Sequence, residues 1–490
     1  MGIVFWPALR YDTKIDLGDG DIGPKKWTTN PVPLAHFGKG VVMGKTSVKN
    51  MTEGSIIGQI IMFSLPLMLG NIFQMLYNTV DSIVVGNFVG KEALAAVGST
   101  TMIVNMLVFF FNGFSIGAGV LISRYFGGKD LKGLHRAIET TIATTFVFCV
   151  IFTIIGVLGV KPMLEFMDTP ADVFEDATTY LRIYFMGFSG LLIYNMGSGI
   201  LRAVGDTRRP LMFLILTSII NTVLDLVLVI GFKMGIAGVA TATIISQMIS
   251  AVLILYLLTS TNDIYKFDWN DMGIDQEILK MIFAVGLPAG IQSVITAFSN
   301  VFVQSYINHF GSSCMAGWSC YNKLDAFILL PMSSMAMAAT TFVSQNVGAK
   351  KIKRANDGTR ITVTAATGIT FVIAVFLYFF SSTAVRMFSS DPSVIEYGSL
   401  FIRTNVFFLL ANCINHTLAG ALRGRGDSRG PMIIMIMNFV VVRQIYLFVI
   451  THYVVNTPKW VGFGYPVGWV CCCITEVFYY NLKHRKVNVI

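Results

Sequence analysis

The chain has 490 residues, 54% of them hydrophobic and 13% charged, with a mean hydropathy of +0.67. That composition excludes an ordinary soluble domain, in which about a quarter of residues are charged, and leaves a polytopic membrane protein. The net charge of +9 is scattered over loops between apolar runs instead of forming the basic patch that binds nucleic acid, so no nucleic-acid partner is expected.

Residues 1–50 carry Gly, Pro, Asp and Lys without period, no apolar run of membrane length and no secretory signal. They are expected to form a disordered cytoplasmic extension. Met43 and Met51 stand just ahead of the first apolar run, so a later start is a further expectation, decided by N-terminal mass spectrometry of protein from the native host.

From Ile56 onward twelve apolar runs follow, near 56–86, 94–122, 137–160, 174–201, 210–231, 236–258, 278–308, 314–344, 360–381, 395–421, 431–451 and 463–481. Each is long enough to cross a hydrocarbon core of ~30 Å, which takes about 20 helical residues. The predicted fold is all-α, with twelve transmembrane helices. Alternate loops hold most of the basic residues, among them Arg124, Lys129, Lys132 and Arg136, then Arg202, Arg208 and Arg209, and later Lys350, Lys351, Lys353 and Arg354. The intervening loops hold only Lys91, Lys161, Lys233, Arg386 and Lys459. Because Lys and Arg in short loops stay cytoplasmic, both termini are expected on the cytoplasmic side.

The first run contains LPLMLGNIFQMLYNTVD, in which Asn71, Gln74, Asn78 and Asp81 fall at i, i+3, i+7 and i+10. They line one helix face. A polar stripe in lipid must face protein or water, and an ionisable group at membrane depth marks an ion or substrate pathway by default. The competing reading is a packing stripe whose acid pairs with an arginine.

Leu201–Pro210 reads LRAVGDTRRP and Leu422–Pro431 reads LRGRGDSRGP, 221 residues later. The same spacing relates Arg182 to Arg403, Gly127 to Gly348 and Lys129 to Lys350, while Pro66 and Pro288 are one residue out of step. A repeat of six spans preserves orientation, so the chain is predicted to form two pseudo-symmetric six-helix lobes with the substrate site between them. Their bounds are 51–259 and 278–490, the second with a short basic tail. Residues 260–277 are expected to be a cytoplasmic linker that follows the lobes passively.

The copies differ in their acids: Asp81 meets Val303, Asn221 meets Val442 and Asp225 meets Tyr446. At ~1.5 Å per helical residue, Asp81, Asp225 and Thr243 lie at a common level about 9–12 Å below the outer surface. Asn221 shares a face with Asp225 one turn away. These hard oxygen donors suit Na⁺ or a shared proton but not a soft metal. Arg182 is expected near the same depth and could instead neutralise one carboxylate. Lys323 with Asp325, and Arg443 with Glu476, are expected to pair with each other or with backbone, and His416 to be a satisfied core histidine. The seven cysteines read as small core residues. No HExxH and no carboxylate-rich soluble loop is present, so no enzyme is expected.

Together these residues resemble the multidrug and toxic compound extrusion (MATE) transporters, particularly the prokaryotic branch with an acid on the first helix. The likeness spans residues 51 to about 482. It is carried by MTEGS and LPLMLGNIFQMLYNTVDSIVVG in helix 1, YLRIY in helix 4, LRAVGDTRRP, NTVLD in helix 5, SQNVGAKK after helix 8 and GYPVGW in helix 12. The resemblance implies a monomeric antiporter in a prokaryotic plasma membrane that expels small organic cations as Na⁺ or H⁺ moves inward, with no other cofactor, by rocking of its lobes. It implies that Asp81, Asn221, Asp225 and Thr243 couple the cation, and that Gln74, Tyr77, Asn78, Tyr180 and Asn195 face the substrate. Other branches carry acids on helices 7 and 10, where this chain offers Gln292, Asn300, Gln304, Asn412 and His416. The alternative is a lipid-linked oligosaccharide flippase of the wider superfamily, for which a more cationic central cavity is expected.

Overall fold

The computed structural model describes residues 49–486, so all but the last two residues of the expected N-terminal extension lie outside the described residues. With no water to satisfy backbone groups in lipid, each apolar run closes its hydrogen bonds within a helix. The described helices are α1 Ile56–Val89, α2 Lys91–Gly127, α3 Leu131–Phe166, the pair α4 described below, α5 Arg208–Gly231, α6 Gly235–Ser260, α7 Gln276–Asn308, α8 Ser312–Gly348, α9 Ile352–Phe379, α10 Pro392–Gly424, α11 Arg429–Val454 and α12 Pro458–Lys483. Carboxylates open several of them: Asp130 Oδ1 accepts from Gly133 N at 3.0 Å, and Asp275 Oδ1 from Glu277 N at 2.9 Å.

Helix α4 is broken at Gly187 into Ala171–Met186 and Phe188–Ala203. A Cβ on Gly187 would sit 2.3 Å from the Ile244 side chain of α6, so the break lets α6 approach where a continuous, bulkier helix would not. Counting the two halves as one span gives the twelve helices, arranged as two lobes of six.

The repeat is reproduced in the backbone. Lys129 and Lys350 both have φ 58, and the pairs Gly205 and Gly426 (φ 87 and 90) and Gly90 and Gly311 (φ 133 and 87) are likewise left-handed. In the two GD turns the glycine supplies that φ and the aspartate accepts from the next helix. Asp206 Oδ1 takes Arg208 N at 3.1 Å, and Asp427 Oδ1 takes Gly430 N at 3.1 Å. Burial pushes the Asp427 carboxyl up, but hydrogen bonds from Lys483, Tyr479 and Gly430 outweigh it and hold the group below the usual range.

The lobes touch through backbone. A Cβ on Gly127 of α2 would fall 2.0 Å from the Gln345 carbonyl oxygen of α8, and one on Gly348 of α8 would fall 1.9 Å from the Arg124 carbonyl oxygen of α2. Gly113 and Gly117 of α2 meet Gly286 and Gly290 of α7 in the same way. Ser344 Oγ donates to Val120 O at 2.6 Å, and Gln345 Nε2 to Ala203 O at 2.9 Å. These contacts lie in the half of each helix nearest the basic loops, here called the basic end. Beneath them, the segment before α1 bridges the lobes: Lys49 N donates to Val204 O at 3.3 Å, Met51 N to Gln345 Oε1 at 2.9 Å, and Lys351 Nζ to Thr52 O at 3.0 Å.

The linker is pinned to the first lobe. Tyr265 and Phe267 are buried, Arg209 Nη1 donates to Tyr265 OH at 2.7 Å, and Arg136 meets Asp275 at 3.4 Å. A run that reads as polar hides two aromatic anchors.

Gly127→Ala and Gly348→Ala are each expected to lower stability on the order of 1–3 kcal/mol, as overpacking does. Gly368→Ala, whose Cβ meets nothing within 4 Å, should be neutral or stabilising by about 1 kcal/mol from helix propensity. Thermal unfolding followed with a thiol-reactive dye checks this, because buried Cys314, Cys413 and Cys472 label only as the protein opens.

Candidate functional site

The face of α1 that begins at Pro66 closes a cavity inside the first lobe. Its volume is about 130 Å³, and its lining includes Asn71, Gln74 and Tyr77 of α1, Tyr194 and Asn195 of α4, Thr217 and Asn221 of α5, and Thr243, Gln247 and Ser250 of α6. Every lining residue lies in α1, α4, α5, α6 or, as Thr207, in the turn between α4 and α5. The expected substrate residues Gln74, Tyr77 and Asn195 therefore share one chamber with the expected coupling residues Asn221 and Thr243, inside the lobe and not between the lobes.

Asp81 and Asp225 stand next to this chamber, within electrostatic reach of each other. Asp225 is 0% exposed, Asn221 1% and Thr243 4%. Both polar atoms of the Asn221 side chain are buried without a hydrogen-bond partner, and the buried oxygens of Asp225 and Asp81 Oδ1 have none beyond each other, while Thr243 Oγ1 is satisfied by Val239 O at 3.1 Å. No lysine or arginine is among the groups that act on either carboxyl. Each acid lies at or near the start of a π-helical turn, Val85–Val89 in α1 and Leu226–Gly231 in α5, a local widening that often marks functional positions.

Tyrosines surround the pair. Tyr77, Tyr180 and Tyr184 lie within electrostatic reach of one another, and Tyr77 and Tyr180 also reach both acids. Tyr180 and Tyr184 stack with centroids 6.3 Å apart. Tyr180 thus joins the acids and does not line the cavity wall, and Asn78 is exposed off the cavity. Tyr184 and Gln247, which reach each other, are added by the structure. Their signals were present as Tyr180/Tyr184 at i, i+4 and as the stripe Thr243, Gln247, Ser250 of α6. Ser250 Oγ bonds Thr217 Oγ1 at 2.9 Å and so fixes α6 against α5. Arg202 lines the chamber near its basic end, its Nη2 donating to Ser115 Oγ at 3.3 Å.

Arg182 is exposed and forms no ion pair with the acids, so the structural-pair reading of Asp81 and Asp225 fails. In the second lobe the expected pairs also differ. Lys323 and Asp325 are two residues apart on α8 and point away from each other. Lys323 lies over the Phe388 ring at 5.5 Å, and Asp325 stands near Tyr321 and Tyr465. Arg443 donates to Ser299 Oγ at 2.6 Å and stacks on Tyr465 at 4.8 Å. Glu476 instead neighbours Arg423, whose Nη2 donates to Gln292 Oε1 at 2.9 Å. His416 lies beside Arg423 as well.

The MatE family profile matches residues 66–227 and 288–449, once in each lobe, each match beginning at the α1 or α7 proline. A probable multidrug resistance protein, YoeA of Bacillus subtilis, is 27% identical over 437 residues, covering 87% of this chain and 94% of YoeA. The probable multidrug resistance protein NorM of Thermotoga maritima is 25% identical over 81% of this chain and 86% of its own. Among solved structures, a multidrug resistance MATE family transporter of the MOP superfamily in an outward-facing conformation superposes with a TM-score of 0.84 at 23% identity, over 90% of this chain and 99% of that one. A MOP superfamily transporter from Pyrococcus furiosus, described as having a binding pocket of reverse polarity, gives 0.85 at 23% identity over 91% and 100%.

An infrared difference spectrum of the purified protein should show a carboxyl band that changes with pH or with added Na⁺. Asp81→Asn and Asp225→Asn should each remove it, and Arg182→Gln should leave it in place. Loss of the band in Arg182→Gln would return Arg182 to the site.

Proposed function

Since the chain belongs to the MatE family, we propose that it is a cation-coupled antiporter that exports small organic cations from the cytoplasm as Na⁺ or H⁺ moves inward. The observation that carries the reading is the pair of half-buried Asp81 and fully buried Asp225, set within hydrogen-bond reach of each other beside a first-lobe cavity, with no cationic side chain acting on either carboxyl. Two carboxylates in that setting cannot both remain charged and unpaired. One holds a proton, or the two share a metal ion, and Asn221 supplies a further unpartnered oxygen within the same group. The coupling ion is thus a substrate held by hard donors.

The basic loops support placing the basic end in the cytoplasm. On that orientation the glycine contacts and the segment from Lys49 to Ser55 seal the lobes on the cytoplasmic side. Pro66 and Leu67 line the cavity, and proline removes one hydrogen bond from the helix ladder, so α1 can bend there. Charge uptake at Asp81, fifteen residues further along α1, changes the field over the cavity wall. A cationic substrate attracted by the ionised acids and by the faces of Tyr77 and its neighbours is released when a coupling ion neutralises them. Drug and ion compete through electrostatics without touching. The relatives named as multidrug resistance proteins support the substrate class.

Full-length protein in liposomes should move ethidium only under an imposed Na⁺ or H⁺ gradient. Asp81→Asn and Asp225→Asn should each bring transport down to the leak rate while leaving yield and melting temperature unchanged, since an amide resembles the protonated acid. Val303→Ala, at the matching place in α7, should retain most of the activity. Full gradient-driven transport by Asp81→Asn would overturn the reading.

A further inference from the structure

At the end of the molecule away from the basic loops, the second lobe carries a groove of about 740 Å³ between the short helix Ser381–Arg386 and α10. Arg386 and Arg403 line it together with Glu396 and the hydroxyls of Ser382, Ser390 and Ser399. Arg403 Nε donates to Ser381 Oγ at 2.8 Å, which draws its guanidinium up α10 toward the short helix. Ser399 Oγ donates to Ser382 Oγ at 3.2 Å and ties the two walls. Among the described residues neither arginine forms an ion pair with a carboxylate. Beside the groove the surface turns strongly apolar: Met387 is 80% exposed, Phe379 73% and Phe380 51%.

The other lobe provides an internal control. At the repeat spacing, Arg386, Glu396 and Arg403 correspond to Glu165, Glu175 and Arg182. Ser382 corresponds to Lys161, so the first lobe is neutral over these positions where the second carries one net positive charge and sets its two arginines against a single acid. In addition, α3 runs unbroken to Phe166, whereas α9 ends at Phe379 and the short helix follows. Net charge and shape both set the second-lobe groove apart.

We propose that this groove binds an anionic glycerophospholipid, with its phosphate on Arg386 and Arg403 and its acyl chains along Phe379, Phe380 and Met387. Guanidinium groups match phosphate oxygens in geometry and charge, the serine hydroxyls serve the glycerol oxygens, and the apolar flank continues into the bilayer. A choline or ethanolamine headgroup would bring an ammonium against two guanidiniums with only Glu396 to receive it. On the orientation proposed above, the lipid belongs to the outer leaflet, but its binding does not depend on the transport reading.

The test is native mass spectrometry of the full-length, delipidated protein exposed to equimolar phosphatidylglycerol and phosphatidylcholine. Wild type should keep one phosphatidylglycerol in preference. Arg386→Glu, which installs the first lobe's residue, should cut that retention by about tenfold, a loss on the scale of one charge-assisted contact. Arg403→Gln should reduce it less, Arg386→Lys should keep most of it, and Arg182→Gln should not change it. Melting temperatures confirm that the variants are folded, and Arg386→Gln serves if Arg386→Glu is not. Equal retention of both lipids by wild type, or wild-type retention by folded Arg386→Glu or Arg386→Gln, would overturn the proposal. Displacement of the lipid by glycerol 3-phosphate at a similar concentration would assign the groove to a free phosphate and overturn the lipid assignment.

Discussion

Two lobes in a bilayer gain little from hiding apolar surface from each other, because lipid tails are as apolar as the side chains they would bury. They associate through close van der Waals contact and hydrogen bonds across small residues. In this protein that constraint falls on a few glycines. Gly127 and Gly348 let α2 and α8 cross with backbone against backbone, and Gly113, Gly117, Gly286 and Gly290 do the same for α2 and α7. Because the two lobes are copies, one sequence element supplies both sides of the α2/α8 crossing. Ser344 and Gln345, fully buried there, then hydrogen-bond across it without cost to side-chain packing.

The repeat divides labour between scaffold and site. Turn chemistry is duplicated, down to a lysine with positive φ in each copy, since both lobes need the same chain reversals. The chemistry within the lobes is not. α5 buries Asp225 beside Asp81, whereas α11 buries Arg443 against Ser299 and Tyr465. Acids in the first lobe and an arginine at the matching region of the second make the pseudo-two-fold electrically polar although its turns are duplicated.

Helix α1 joins the lobe contact to the acids. Its base is held by the segment that crosses to Gln345 and Lys351, Asn71 Nδ2 reaches Ser334 Oγ of α8 at 3.4 Å, Pro66 lines the first-lobe cavity, and Asp81 stands by Asp225. A change of bend at Pro66 therefore alters cavity shape and lobe contact together. The buried aromatic anchors of the linker, Tyr265 and Phe267, pack against the base of the first lobe.

The number of spans, the parallel repeat and the isolation of Asp81, Asn221 and Asp225 in one half were all legible in the sequence. Lipid imposes length and composition on each helix, a duplicated turn repeats its glycine, and an acid in an apolar run stands out. The helical rise per residue puts Asp81 and Asp225 at one level, and periodicity gives the direction of each side chain around its own axis. Periodicity cannot say which neighbour occupies that direction. Only the packed structure showed that the α1 stripe closes a chamber inside the first lobe, that Arg182 is turned away from the acids, that Asn78 misses the cavity and that Glu476 neighbours Arg423 and not Arg443. Those outcomes depend on how closely helices far apart in sequence approach, and that is set by pairs such as Gly187 and Ile244 whose contact no single segment encodes.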